Sequence, residues 1–273
     1  MRFAKRSLGQ NFLVDPNLQR KIIEAVDPGP DETVVEIGPG RGALTRPLAE
    51  RAGRLVAIEL DDDLAADLAR EFRDVASVDV VHRDVLDVSI ADFGEPSTLK
   101  VVGNIPYNIT SPIIFHLLER DARPASIVLM IQREVADRLL AEPGTPEYGA
   151  LTVGVQTVAS VERLFHVGRG AFRPAPKVDS TVIRITPHRP PPLSAAEERD
   201  VRALTRASFA WRRKQLQKTL RTAPEYALTA DDVQRVAAET GIDLDRRPES
   251  LSPAEIANLA RTLRAHGKPE ADS

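Results

Sequence analysis

Five short apolar runs separated by helix-length segments restrict this chain more than any other feature. They are "TVVEI" (33–37), "RLVAIEL" (54–60), "VDVVH" (78–82), "LKVVG" (99–103) and "SIVLMI" (126–131). Their apolar residues are nearly continuous rather than alternating, the pattern of strands buried on both faces. Segments 43–52, 61–72, 111–120 and 133–141 read as helices between or after them. Parallel strands need such crossovers, so the alternation predicts an α/β domain with a parallel sheet covered on both faces. Ahead of the first strand, Asp15 and Pro16 predict an N-cap and a proline at N1, opening a helix that runs to about Val26.

The pattern changes after "HRPPPL" (188–193). Three consecutive prolines make this stretch extended by necessity, and it reads as a linker. Beyond it the periodicity is helical. Ser194-x-x-Glu197 and Ser252-Pro253-Ala254-Glu255 both match capping boxes. The expected organisation is an α/β domain over 1–188 and a small all-helical domain over 194–273.

Charge is distributed unevenly. The net value is −3, yet residues 57–100 carry twelve acids against four bases, and residues 201–221 carry seven bases and no acid. Residues 1–21 add five bases against one acid. Such asymmetry predicts an anionic partner that meets only part of the surface. No apolar run approaches the roughly 18 residues of a membrane span, and "MRFAKRSLGQNFL" lacks the apolar core of a signal peptide. Cysteine is absent, which removes disulfides and thiolate metal sites. His82, His116 and His166 fall at no metal-ligand spacing. A cytoplasmic monomer without a metal or a membrane partner is expected.

The chemistry-bearing residues sit where strands end. "VVEIGPGRGALT" is a strand, a glycine-rich turn and a helix start, in which Gly38, Gly40 and Gly42 let the backbone turn sharply and approach a ligand. Glu59 ends the next strand, 21 residues after Gly38, where a carboxylate can accept both hydroxyls of a ribose. Asp84 follows the third strand and can accept from an adenine amine. Gly38-x-Gly40-x-x-Ala43 also fits a dinucleotide-binding turn, so a nicotinamide dehydrogenase stays open on these residues alone.

The fourth strand ends in "NIPY", Asn104-Ile105-Pro106-Tyr107. An exocyclic amine on a base is a poor nucleophile because its lone pair is conjugated into the ring. The Asn104 side-chain oxygen and the Ile105 carbonyl can accept its two hydrogens and steer the nitrogen toward a tetrahedral geometry. Pro106 stiffens the backbone that presents this carbonyl, and Tyr107 offers a face for the base. In the basic segment, Arg212, Arg213, Lys214, Lys218 and Arg221 cluster as phosphate contacts would, and Trp211 reads either as a core anchor or as an RNA contact.

The strand-end series Glu36/Gly38, Glu59, Asp84 and Asn104–Tyr107 resembles a class I S-adenosylmethionine-dependent methyltransferase acting on an amino group. With "LGQNFL" (8–13), "AFRPAPKVDSTV" (171–182) and "FAWRRKQLQKTL" (209–220), the chain is similar from about Arg6 to Leu263 to the rRNA adenine N6,N6-dimethyltransferase family, nearest its small-subunit (16S) branch. Ile105 departs from that branch, where leucine is more usual, but the position contributes mainly its carbonyl. The resemblance implies a Rossmann-like class I methyltransferase sheet and a C-terminal helical domain. It implies S-adenosyl-L-methionine as cofactor, with Asn11 and Leu13 at its methionine end and Gly38 and Gly40 beneath it. Glu59 would take the ribose, Asp84 the adenine, and Asn104 would stand at the transfer point. Phe172 would cover the target base opposite Tyr107. The implied partner is 16S rRNA in the immature small ribosomal subunit, methylated at two adjacent adenosines of the 3′-terminal hairpin. A noncatalytic role in ribosome assembly on the same fold is the other alternative.

Overall fold

A computed structural model of the protein describes residues 10–211 and 214–266. Its main sheet has seven strands in the order β4-β3-β2-β5-β6-β9-β7. The strands are β2 (Thr33–Ile37), β3 (Arg54–Glu59), β4 (Val78–His82), β5 (Lys100–Asn104), β6 (Ser126–Gln132), β7 (Ala159–Val167) and β9 (Ser180–Pro187). A separate two-stranded ladder joins β1 (Phe12–Leu13) to β8 (Phe172–Arg173), antiparallel.

The five runs read from the sequence form β2 to β6, and all four of their pairings are parallel. Val34, Val35, Leu55, Val56, Val101, Val102, Ile127 and Leu129 are fully or almost fully buried, as strands covered on both faces require. Each such side chain contributes roughly 1.5–3 kcal/mol relative to exposure. Helix starts follow the capping rules. Asp15 accepts hydrogen bonds from the Asn17 and Leu18 N–H groups at the start of helix Pro16–Val26. Asp61 does the same for Asp63 and Leu64 at the start of helix Asp62–Glu71.

Two strands that the sequence reading did not name extend this parallel sheet. β9 pairs antiparallel with β6, from Ile127↔Ile185 to Gln132↔Ser180, and β7 lies outside it. The segment between β7 and β9 holds no α-helix, so the alternation that marks a parallel sheet is lost there. β9 covers the β6 edge, and β7 pairs beyond it.

The contacts divide the chain differently from 1–188 and 194–273. Asp137–Ser160 groups with the segment from His188 onward, while Val161–Pro187 groups with the sheet unit. In the helical unit, helices Ala195–Phe209, Leu216–Thr222, Ala230–Thr240 and Pro253–Ala265 enclose a core of Leu204, Leu220, Val236, Leu251 and Leu259. Tyr148 and Val153 belong to that core. Fully buried Tyr148 donates from its hydroxyl to the Leu251 carbonyl at 2.8 Å. A buried phenol needs such a partner, and this one lies about a hundred residues ahead in the chain. Both capping boxes form: Ser194 and Glu197 exchange bonds of 3.3 and 2.7 Å, and Ser252 and Glu255 of 3.1 and 2.7 Å. Among the described residues no helix is long and apolar enough to cross a membrane.

Candidate active site at the strand ends

The strand order reverses between β2 and β5, and open α/β sheets bind ligands outside the carboxyl ends at such a point. A cavity lies there. Gly38 and Gly40 after β2, Glu59 at the end of β3, Asp84 after β4 and Asn104–Tyr107 after β5 all line it, joined by Asn11. An adjoining cavity shares the walls Phe12, Gly38, Gly40 and Asn104 and continues past Glu36, Arg41 and Arg46.

The glycine turn is built for close approach. Gly38 and Gly40 have φ of +66° and +59°, the left-handed region that side chains rarely adopt. Gly40 has a second constraint, because a Cβ there would stand 3.2 Å from the Phe12 ring. The Arg41 guanidinium lies 4.2 Å from the centroid of that ring, a cation–π pair. Phe12 therefore closes the turn from above.

Glu59 is 6% exposed and holds the turn to the next helix. Its Oε2 accepts from the Gly40 N–H and its Oε1 from the Asp61 N–H, both at 2.9 Å. Burial raises its pKa, and these two backbone donors act against the rise. Each carboxylate oxygen can still accept a further hydrogen bond. Asp84 accepts from the Leu86 N–H at 2.9 Å through Oδ1, which fixes its side chain at the cavity wall.

At the β5 end, Asn104 Nδ2 donates to the Asn11 carbonyl at 2.9 Å. A carbonyl only accepts, so this bond fixes which way the amide points and leaves Oδ1 as the acceptor. Ile105 is anchored through its N–H to the Met130 carbonyl at 3.2 Å. The Tyr107 hydroxyl shares a 2.8 Å hydrogen bond with the buried Ser180 hydroxyl, which tethers the ring by its far end. Burial raises the phenol pKa, and the Ser180 bond works against it.

Two expectations for this site change. Phe172 is fully buried, paired with Leu13 in the β1–β8 ladder and packed in the sheet-unit core, and it does not line the cavity. As placed here, enclosed in that core, its ring does not reach the cavity wall opposite Tyr107. Leu13 likewise buries its side chain in that core, so a contact with the methionine end would come from its backbone. The residue that the sequence reading passed over is Phe12, inside the quoted "GQNFL". A two-residue strand turns neighbouring side chains to opposite faces, so Leu13 inward places Phe12 toward the cavities.

Glu36 is an internal carboxylate with an unusual state. It is 2% exposed, and its Oε2 finds no hydrogen-bond partner. Burial pushes its pKa up to about 8; the Glu59 charge adds to the rise, while Thr45 and the Arg46 charge oppose it. The Thr45 hydroxyl is close enough to act but completes no hydrogen bond. Because the folded value lies above the ordinary 4.5, the protonated group favours the fold below about pH 4.5, and this contribution is lost as pH rises to about 8. Glu36→Gln is therefore expected to flatten the pH dependence of ligand-free stability between those limits and to raise the melting temperature at pH 8 and above. Equal pH slopes for the two proteins in thermal melts would contradict a buried neutral carboxyl.

In the helical unit, Lys218 and Arg221 are both exposed on helix Leu216–Thr222, which buries Leu216, Thr219 and Leu220. Lys214 is exposed ahead of it. Arg212 and Arg213 lie outside the described residues.

The comparisons agree on one family. The description "ribosomal RNA adenine dimethylase" matches residues 1–261. A ribosomal RNA small subunit methyltransferase A from Geobacter metallireducens is 41% identical over 267 residues, 97% of either chain. One from Aromatoleum aromaticum is 44% identical over 262 residues, 96% of this chain and 95% of that one. Among solved structures, a dimethyladenosine transferase from Plasmodium falciparum superimposes with a TM-score of 0.78 at 25% identity, covering 94% of this chain and 98% of that one. The 23S rRNA methyltransferase ErmE gives 0.70 at 29% identity, covering 93% and 100%.

Proposed function

The chain belongs to the ribosomal RNA adenine dimethylase family, and from that premise we propose that it dimethylates the N6 amines of two adjacent adenosines in 16S rRNA. The proposed target is the 3′-terminal hairpin in the immature small subunit, and the proposed methyl donor is S-adenosyl-L-methionine. The observation that carries the reading is Asn104, whose amide is oriented by Asn11 at the wall common to both cavities.

The residues suit this cofactor. Glu59 is placed for a ribose, Asp84 for an adenine amine, and the left-handed Gly38 and Gly40 leave the backbone open to a close ligand. Bound there, S-adenosylmethionine would supply an electrophilic methyl group. The protein's own part is to present the amine. Asn104 Oδ1 and the Ile105 carbonyl would accept the two N6 hydrogens, turning the nitrogen lone pair out of conjugation. Tyr107, held by Ser180, would support the ring. The amine loses one proton for each methyl gained, and that proton is acidic once the nitrogen is alkylated, so no dedicated base is needed. Lys214, Lys218 and Arg221, with Arg212 and Arg213, would hold RNA phosphates through the helical unit.

Unmethylated small subunits incubated with methyl-labelled cofactor are expected to take label on two neighbouring adenosines of 16S rRNA, mapped by primer extension. Label confined to large-subunit RNA would overturn the substrate. Thermal protection by NAD but not by S-adenosylmethionine would overturn the cofactor.

A further inference from the structure

The helical unit contains a cavity that the proposed chemistry does not use. Trp211 is the chain's sole tryptophan, and it is 57% exposed. It takes no part in the core of its unit, so of the two readings the sequence left open, the core anchor is removed. An indole left in water gives up one of the largest apolar burials a side chain offers, and single aromatic platforms of this kind recur where bases are stacked.

The surroundings of the ring say what it would hold. The Lys214 ammonium lies over one face of the ring, 4.3 Å from its centroid, so a base would stack on the opposite face. Trp211 and Lys214 line an open cavity with Arg206, Ala207, Ala210 and Glu225. Ala207 and Ala210 project nothing beyond Cβ, so they leave a shallow floor beside the indole. An aromatic face, two cations and a flat slot match a planar group carrying a negative charge, which is the description of a nucleotide. A carboxylate peptide would satisfy the cations and leave the slot unfilled.

We infer that this cavity receives one unstacked guanine nucleotide of the RNA substrate, its base on Trp211 and its phosphate against Arg206 and Lys214. The inference rests on the reading of the substrate as RNA. Glu225 sets the orientation and the base: its carboxylate repels a phosphate from that side and can accept the two adjacent N–H groups that guanine alone among the common bases presents on its pairing edge.

Because the chain has one tryptophan, its emission reports this cavity alone. The full-length protein is titrated with a short single-stranded oligoribonucleotide containing guanosines and with a cytidine-only one, while binding is followed separately by the anisotropy of an end label on the RNA. Quenching that saturates together with anisotropy, at lower concentration for the guanosine strand, is the expected result. Trp211→Ala should weaken binding roughly tenfold with an unchanged salt slope, since stacking releases no counterions. Trp211→Phe, which keeps an aromatic face, should recover most of that loss. Saturating anisotropy with unmoved emission, or an equal loss in the Phe variant, would overturn the cavity's role and leave the RNA reading standing. Equal quenching by both strands would overturn the guanine assignment. Absence of any anisotropy change would instead strike the RNA reading itself.

Discussion

Asn104→Ala is expected to slow single-turnover methyl transfer about 100-fold, the scale of losing a preorganised hydrogen-bond partner in a transition state. The Asn104 oxygen would meet an amine whose nitrogen becomes pyramidal only as the new bond forms. The interaction is therefore stronger in the transition state than in the bound substrate, and only such a difference accelerates the step. The geometry adds a control. Asn104 is oriented by its Nδ2 bond to the Asn11 carbonyl, so Asn104→Asp should fail too, since a carboxylate has no hydrogen to donate to a carbonyl. RNA affinity, carried by phosphate contacts in the helical unit, should change little. Rapid-quench measurements with enzyme in excess would decide, and a variant reacting at the parental rate would make "NIPY" a structural motif and remove the mechanism.

Glu59→Ala should weaken S-adenosylmethionine binding by about 1–3 kcal/mol, or roughly 5- to 150-fold, by removing charge-assisted bonds to a ribose. Glu59 also accepts from the Gly40 and Asp61 N–H groups, so its loss frees the glycine turn as well as the sugar site. Glu59→Gln separates these roles. Its single amide oxygen can retain one backbone donor, so the turn should be held better than in the Ala variant while the ribose contact stays weakened. Isothermal titration calorimetry reads both variants. Parental affinity in Glu59→Ala would take this residue out of the cofactor site.

What the sequence determined by itself was local. The five strands, the caps at Asp15, Ser194 and Ser252, and the glycine turn depend on residues within a few positions of one another, and periodicity and turn chemistry report such contacts directly. The strand-end placement of Gly38, Glu59, Asp84 and Asn104 was legible for the same reason, since a parallel sheet puts every carboxyl end on one edge. Tertiary structure alone decided the rest. Antiparallel β9 lies against β6, residues 137–160 group with the helical unit through Tyr148 and Leu251, and Phe172 is enclosed beside Leu13 while Phe12 faces the cavities. An aromatic residue has no local signal that says whether it will be walled in or left on a rim. Phe172 and Trp211 took opposite fates because burial is settled by which distant side chains arrive around a ring: the core of the sheet unit closed over the first, while the second is left on the rim of an open cavity, more than half exposed.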